Sequence, residues 1–190
     1  MKGTLVLVIG PTGSGKSALI SYVRKAIPGL VFPVSCNTRA MRPEEVEGEN
    51  YFFITPEEFE KRVQAGEFLE WARVDDRRYG TLKSQIIPPL EQDKVVVREV
   101  EVQGARSILA LLPRKNIKFF FIDGGTWDDL EKRILARASM GEAELASRRQ
   151  RFIEETKFKS EADIVIHNEQ GKLEEAKQAF EKAIRAIVAA

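Results

Sequence analysis

The residues near the start of the chain that are best suited to chemistry form one glycine-rich octapeptide, residues 10–17. Gly10, Gly15, Lys16 and Ser17 fill the fixed positions of the pattern G-x-x-x-x-G-K-[ST]. Glycines let successive backbone N–H groups point to one side of a loop, which makes a concave site for phosphate oxygens. The pattern predicts that Lys16 meets the β- and γ-phosphates of a nucleoside triphosphate and that the Ser17 hydroxyl is a ligand of Mg²⁺. The predicted phosphate-binding residues are Gly10, Pro11, Thr12, Gly13, Ser14, Gly15, Lys16 and Ser17.

The loop stands between a predicted strand and a predicted helix. Residues 4–9 are a continuously apolar, β-branched run, typical of a strand buried on both faces. A helix is predicted over residues 16–26, ending near Pro28 and Gly29. The alternative is a chance glycine-rich turn with an exposed lysine. A strand before the loop and a helix after it count against that alternative, because helix N-termini bind anions.

The rest of the chain alternates in the same way, apart from its middle. Further buried strands are predicted at residues 95–97, 119–122 and 164–166, and helices at 103–112, 127–136, 142–158 and 172–189. This alternation predicts an α/β fold with a parallel sheet flanked by helices. Between residues 35 and 93 the alternation is replaced by short aromatic runs and one helix at 56–64. For that helix Thr55 and Glu58 form a capping-box pattern, with Pro56 at the first position. A small inserted α+β subdomain is the interpretation.

Composition excludes several classes of function. The chain has 30 Lys and Arg residues and 29 Asp and Glu residues, for a formal net charge of +1. This near-neutral balance argues against binding nucleic acid or membrane by bulk charge. Cys36 and His167 are the single cysteine and the single histidine, so a disulfide, a CxxC redox pair and a His/Cys metal site are all excluded. The first apolar run is too short for a signal sequence or a membrane span. We therefore expect a soluble protein of the cytoplasm.

A phosphate-binding loop alone is compatible with a hydrolytic switch, a motor or a small-molecule kinase. The inserted segment adds a second group of polar residues, placed around Arg39-Ala40-Met41-Arg42-Pro43, Gly48-Glu49-Asn50-Tyr51, Glu67-Phe68-Leu69-Glu70-Trp71 and Arg78-Tyr79-Gly80-Thr81. In this order, these residues resemble guanylate kinases. The resemblance covers nearly the whole chain and continues through Gln103-Gly104 and the arginine-rich segment after Leu130.

The resemblance implies a Mg²⁺-dependent P-loop kinase that transfers the γ-phosphoryl group of ATP to GMP or dGMP, giving ADP and GDP. It further implies one domain over residues 1–190, with a GMP-binding subdomain and a helical lid inserted in the core. The implied core is 1–34, 96–136 and 155–190, the subdomain is 35–95 and the lid is 137–154. GMP and ATP are then the partners, with no nucleic acid and no membrane, and the protein is a monomer or a homodimer.

The resemblance also assigns roles in the acceptor site. The implied ligands of the acceptor phosphate are Arg39, Arg42, Tyr51 and Tyr79, and those of the guanine edge are Ser35, Glu70 and Thr81, with Gly80 beside them. The chemistry agrees with these roles, because two arginine forks suit a phosphate dianion. An ionised carboxylate can accept both the N1–H and the NH₂ of guanine, whereas adenine presents an acceptor at N1. Each residue also has a structural alternative: Glu70 could be solvated, the tyrosines could be half-buried sheet residues and the arginines could lie in a solvated turn.

On the donor side the resemblance implies a lid whose arginines stabilise the transferred phosphoryl group. By position these are Arg133, Arg137 and Arg148, of which Arg137 and Arg148, with Lys16, are the implied catalytic residues. The structural alternative is a basic helix face balanced by nearby glutamates.

Three further positions complete the implied site. Glu99 is the candidate carboxylate that holds Mg²⁺ through water, and Asn168 takes a position beside the adenine. Glu101 is a departure, because the family usually carries an aspartate there, close to the guanine and the reacting phosphates. Its extra methylene preserves the charge and shifts the carboxylate.

Two other functions stay open on the sequence alone. One is a P-loop kinase for a ribose phosphate, but such a substrate has no guanine edge for Glu70 to bind. A non-catalytic interaction module on a guanylate-kinase-like domain would typically have lost the ATP loop, whereas Lys16 and Ser17 are intact here.

Overall fold

The computed structural model describes residues 1–74, 76–136 and 140–190. Its strands are β1 (Thr4–Ile9), β2 (Ser35–Asn37), β3 (Tyr51–Phe53), β4 (Phe68–Val74), β5 (Arg77–Leu82), β6 (Val95–Glu99), β7 (Ile117–Asp123) and β8 (Ile164–His167). Its α-helices are α1 (Lys16–Ala26), α2 (Pro56–Gln64), α3 (Lys83–Glu91), α4 (Val102–Leu111), α5 (Trp127–Leu135), α6 (Glu142–Lys157) and α7 (Leu173–Val188). The strands form two four-stranded sheets, a central one and a smaller second one.

The central sheet is parallel and has the order β6-β1-β7-β8. Its strand β1 is buried on both faces, as the unbroken apolar run predicts. Leu5 and Leu7 pack into one core cluster with residues of α3 and α4, while Val6 and Val8 pack into another with residues of α1 and α7. The parallel sheet with helices on both sides confirms the predicted fold class.

The second sheet has the order β3-β2-β5-β4 and is mixed. Strands β2 and β3 run parallel, while β5 runs antiparallel to both β2 and β4. Its small core consists of Cys36, Phe59, Phe68 and Leu82. Phe59 comes from α2 and stacks on Phe68 with ring centroids 4.4 Å apart. The inserted α+β segment thus has a hydrophobic core of its own.

The start of α2 departs from its predicted cap. Thr55 Oγ1 accepts a hydrogen bond from the Glu58 N–H at 3.1 Å, as predicted, and Pro56 is the first helical residue. The Glu58 carboxylate, however, accepts from Arg62 Nε at 2.9 Å. The reciprocal capping box is found instead at α5, between Thr126 and Asp129.

Helix α3 has no counterpart among the predicted elements. It contains Pro88 and Pro89, which lack the N–H that a helix interior uses. Burial offsets that loss, because Ile86 and Leu90 are fully buried in the same cluster as β1. Since α3 packs on the central sheet, we propose that the inserted subdomain ends near Leu82 and not at residue 95.

The two sheets meet through α4, which packs against β4. Leu69 of β4 points into the central cluster that also contains Ala105 and Ile108 of α4. Within the described residues, none of the helices is long and apolar enough to span a membrane.

Candidate active site

The loop between β1 and α1 has backbone angles that only glycine adopts easily. Gly10 and Gly15 have φ of 149° and 94°. A Cβ at Gly10 would lie 2.5 Å from the Ile122 carbonyl oxygen, and one at Gly15 would lie 2.2 Å from Asn168 Nδ2. The glycines of the motif therefore serve both the curvature of the loop and its close contact with the ends of β7 and β8.

Lys16 and Ser17, the first residues of α1, both contact Glu99 at the end of β6. Lys16 Nζ donates to the carbonyl oxygens of Gly10 at 2.6 Å and Pro11 at 3.1 Å, and it lies 3.7 Å from Glu99 Oε1. The Ser17 hydroxyl donates to Glu99 Oε2 at 3.2 Å. A hydroxyl next to a carboxylate is a set of hard oxygen donors, which is what Mg²⁺ prefers. The residues present therefore fit the predicted ion.

Asn168 and Arg133 hold the opposite side of the loop. Asn168 is buried, and its Nδ2 donates to the Ser14 carbonyl at 2.7 Å. Arg133 of α5 donates from Nη1 to the carbonyl oxygens of Asn168 at 3.0 Å and Gly13 at 3.4 Å. The structure thus brings both residues to the loop, where the Asn168 amide braces the backbone.

Arg39 lies at the centre of the predicted phosphate end of the acceptor site. Its guanidinium is 5.4 Å from the ring centroids of both Tyr51 and Phe53, and the Tyr51 and Tyr79 centroids are 6.1 Å apart. Burial raises the pKa of Tyr51, against the positive charges of Arg98 and Arg39. The predicted residues Arg39, Tyr51 and Tyr79 are therefore neighbours.

Glu45, which the sequence reasoning missed, holds the loop that carries Arg39 and Arg42. Its carboxylate binds both Nη atoms of Arg39 and accepts the Arg42 backbone N–H at 2.9 Å. The hydrogen bond from Arg39 holds the pKa of Glu45 at about 2 and raises that of Arg39. The Arg42 side chain itself is exposed. A glutamate three residues beyond Arg42 was the available signal.

Glu70, Ser35, Gly80 and Thr81 line the predicted guanine end. Glu70 and Thr81 are paired in register, and the Thr81 hydroxyl donates to Glu70 Oε1 at 2.5 Å. Gly80 is buried where a Cβ would lie 2.8 Å from the Phe68 ring. Ser35 Oγ is buried and has no hydrogen-bond partner among the described residues, which leaves a polar atom for a ligand.

Arg98 and Gly104 also reach Glu70, and the sequence reasoning predicted neither contact. Arg98 Nη2 lies 3.6 Å from Glu70 Oε1. A Cβ added at Gly104 of α4 would lie 3.1 Å from Glu70 Oε2. Arg98 directly precedes Glu99 in β6, so the adjacency of two charges at a strand end was the only signal for it.

The predicted lid residues are placed only in part. Arg148 lies on α6, where its Nη2 donates to Glu144 Oε1 at 2.9 Å. Its Nε is buried and has no partner among the residues that the structure describes. Arg137 lies outside the described residues.

Glu101 and Glu155 are two carboxylates that line the same cavity. Glu101 is the exposed residue before α4, and with Glu155 of α6 it lines a cavity of about 620 Å³. Burial raises the pKa of Glu155 to about 7; Lys16 and Arg151 oppose this effect, while Glu101 and Glu99 add to it. The sequence reasoning did not predict a role for Glu155.

Donor and acceptor residues share one cavity of about 300 Å³. Ser17 lines it from the phosphate-binding loop, Arg98 and Glu99 line it from the end of β6, and Ser35 and Tyr51 line it from the second sheet. A ligand held by Ser35 and Tyr51 in this cavity would therefore lie close to the Ser17–Glu99 contact.

Comparisons with known proteins identify the family of the chain. The family model described as guanylate kinase matches residues 2–187. The chain belongs to the guanylate kinase family. Curated guanylate kinases are 43% identical over 169 residues in Thermotoga maritima, covering 89% of this chain and 81% of that protein, and 40% identical over 182 residues in Trichormus variabilis, covering 96% and 89%.

A solved structure shows the same fold. The crystal structure of guanylate kinase from Anaplasma phagocytophilum matches with a TM-score of 0.72 at 23% identity, over 97% of this chain and 85% of that one. The fold of this chain is therefore the one that its resemblance to guanylate kinases implies.

Proposed function

We propose that this chain transfers the γ-phosphoryl group of ATP to GMP or dGMP, giving ADP and GDP. The observation that carries the proposal is the shared cavity, in which Ser17 and Glu99 of the donor side face Ser35 and Tyr51 of the acceptor side. Membership of the guanylate kinase family supports it.

On the donor side, the backbone N–H groups of residues 10–17 bind the phosphates of ATP, and Lys16 leaves the Gly10 and Pro11 carbonyls to contact the β- and γ-phosphates. Ser17 and, through water, Glu99 would hold Mg²⁺. Bound there, the ion would supply positive charge to the phosphate oxygens. Arg133 and Asn168 fix the loop, and the adenine lies beside them.

On the acceptor side, Arg39, Arg42, Tyr51 and Tyr79 bind the phosphate of GMP. Glu70, with Ser35, Gly80 and Thr81, binds the guanine. The unpartnered Ser35 hydroxyl supports this role, because a ligand atom would satisfy it. Glu70 rejects adenine, whose N1 lone pair would face the buried carboxylate. Glu101 lies near both nucleotides, where it adds negative charge to the site.

The protein positions the two nucleotides and neutralises charge and itself makes no covalent bond to the phosphoryl group. An oxygen of the GMP phosphate attacks the γ-phosphorus in line, and the bond from that phosphorus to the oxygen of ADP breaks. Arg148, with Arg137 of the lid, stabilises the charge on the transferred group. Closure of the lid and the acceptor subdomain excludes water, which suppresses hydrolysis of ATP.

A coupled assay of ADP release tests the proposal with GMP, dGMP, AMP, CMP and UMP as acceptors. We expect turnover with GMP and dGMP and a preference over AMP of roughly 10⁴-fold, as sites that hydrogen-bond their substrate achieve. Equal rates with AMP and GMP would contradict the role of Glu70. Absence of turnover with every acceptor, together with tight phosphopeptide binding, would favour an interaction module. Location in the cytoplasm and a monomeric or homodimeric state remain predictions.

A further inference from the structure

Arg98 connects the central sheet to the guanine end of the acceptor site. Its backbone lies in β6, in register with Leu7 of β1. Its side chain reaches the second sheet, where Nη2 lies 3.6 Å from Glu70 Oε1. It also lines the cavity shared by donor and acceptor residues. A charged side chain therefore crosses from the rigid core to the residue that is to select the base.

Glu70 is held from several sides. Its side chain is only 9% exposed, and its Oε1 accepts the Thr81 hydroxyl at 2.5 Å. A neutral hydroxyl orients one oxygen and does not balance the charge of a buried carboxylate, which is costly to leave without a cation. Among the described residues, Arg98 is the only cation within 4.0 Å of Glu70.

Arg98 likewise has Glu70 as its one nearby carboxylate among the described residues. Within the described part of the chain, Glu70 is the only carboxylate within 4.0 Å of the Arg98 guanidinium. The Nε of Arg98 is buried and has no hydrogen-bond acceptor among those residues. The positive charge of Arg98 is therefore directed at Glu70 and at whatever ligand enters the cavity.

We propose that Arg98 is a specificity-determining positioning residue, which balances the charge of the Glu70 carboxylate and aligns it to accept both the N1–H and the NH₂ of guanine. This inference rests on the proposed function. With Thr81 and Arg98 both at Oε1, the carboxylate plane is fixed and Oε2 is turned toward Gly104. Both oxygens can then serve the two adjacent donors of the base.

The test compares GMP with inosine monophosphate, whose base keeps N1–H but lacks the exocyclic amino group. In Arg98→Met we expect the KM for GMP to rise about tenfold, because a hydrogen bond from guanine to the Glu70 carboxylate is lost or misaligned. The preference for GMP over inosine monophosphate should fall by a similar factor. kcat and the KM for ATP should stay within about twofold of the wild type. Arg98→Lys keeps the positive charge but lacks the forked guanidinium group, so its KM for GMP and its base preference should lie between those of the wild type and Arg98→Met.

A double-mutant cycle separates positioning from direct contact. In a Glu70→Gln background, Arg98→Met should change kcat/KM for GMP by less than about twofold, because its target is gone. An equal loss in both backgrounds, with the base preference unchanged, would overturn the proposal and assign Arg98 Nε to the acceptor phosphate. The matched control is Arg24→Met, an exposed arginine of the same cavity that lies over the Phe32 ring at 4.5 Å. An Arg98→Met enzyme that behaves like this control would also overturn it.

Calorimetric titration with GMP keeps this inference separate from the proposed function. If the wild type binds GMP but does not turn it over, the transfer reaction fails, and the binding ratios of the same variants still decide the role of Arg98. Thermal unfolding identifies a variant that does not fold, in which case Arg98→Lys alone carries the comparison.

Discussion

The Lys16 side chain folds back over the phosphate-binding loop, where its ammonium group donates to the carbonyl oxygens of Gly10 and Pro11. These carbonyls and Glu99 keep the ammonium group close to the path of the phosphates. Its role is therefore electrostatic, and its removal should leave the fold intact because the neighbouring contacts are only part-buried.

We predict that Lys16→Ala lowers kcat by roughly 10²–10³-fold, the usual loss when a preorganised donor to a developing charge is removed. Binding of GMP, which uses the opposite end of the cavity, should change little. Steady-state kinetics measure the first quantity and calorimetric titration with GMP the second. Full activity of this variant would refute the assignment of the phosphate-binding loop.

We expect the half-buried side chain of Glu155 to make stability depend on pH. Its pKa is about 7 in the fold against 4.5 ordinarily, so between these values the folded chain binds more protons than the unfolded chain. Its contribution to the free energy of unfolding therefore decreases as pH rises through this window. We predict that Glu155→Gln is more stable than the wild type by about 2 kcal/mol at about pH 8 and similar to it at about pH 4.5.

Urea unfolding at the two pH values measures this difference. The matched control is Glu154→Gln, since Glu154 is an exposed neighbour paired with Lys157 at 2.9 Å. A pH-independent difference between Glu155→Gln and the wild type would show that burial of this carboxyl has no such cost.

At the scale of elements, the close approach of α4 to β4 is what Gly104 makes possible. Ala in a helix is more favourable than Gly by up to about 1 kcal/mol, so Gly104→Ala should not destabilise the fold. Its Cβ would nevertheless lie 3.1 Å from Glu70 Oε2 and displace the carboxylate. We predict a rise in the KM for GMP of about tenfold with the KM for ATP unchanged, measured by the coupled assay.

Gly141→Ala is the control for that change, because a Cβ at Gly141 meets no atom of the described residues within 4 Å. If both variants raise the KM for GMP equally, crowding of Glu70 is not the cause.

The elements that the sequence predicted are those with short-range signals. The apolar run of β1, the loop motif before α1 and the cap of α2 gave bounds that match the structure. Helix α3 was missed because its prolines indicate a break, while its stability comes from the burial of Ile86 and Leu90 in contacts distant in sequence.

The candidate site divides in the same way. Residues within motifs were predicted, whereas Glu45 and Arg98 were not. Arg98 and Glu70 are separated by 28 positions and meet only when β6 of the central sheet and β4 of the second sheet are brought together by the fold, so no local pattern contains that contact. Glu45 is close to Arg39 in sequence, but the same sequence pattern is found where the two charges are solvated in a surface turn and where they form a bidentate ion pair.

At the scale of the molecule, two cores of different size carry the two nucleotide ends. The central sheet has large clusters on both faces, whereas the second sheet is held by four buried side chains and their neighbours. The acceptor side should therefore open more readily than the donor side, since local stability follows buried apolar contacts.

We predict that amide hydrogens of β2, β3 and β5 exchange faster than those of β1 and β7, and that GMP slows them by up to about 100-fold at a concentration 100 times its Kd. Hydrogen exchange followed by mass spectrometry measures this, with AMP as the control ligand. Equal slowing of exchange in both sheets by GMP would contradict the lower local stability of the second sheet.

The central position of β1 also has a consequence for how the protein is made. Its two neighbours, β6 and β7, begin at Val95 and Ile117, so a ribosome must add about a hundred residues before both edges of β1 are covered. At about 5–20 residues per second, that is a period of several seconds or longer. During it a six-residue apolar run without proline or charge is exposed, the kind of segment that aggregates. We therefore expect the yield of folded protein in a cell to depend on translation rate and chaperone supply.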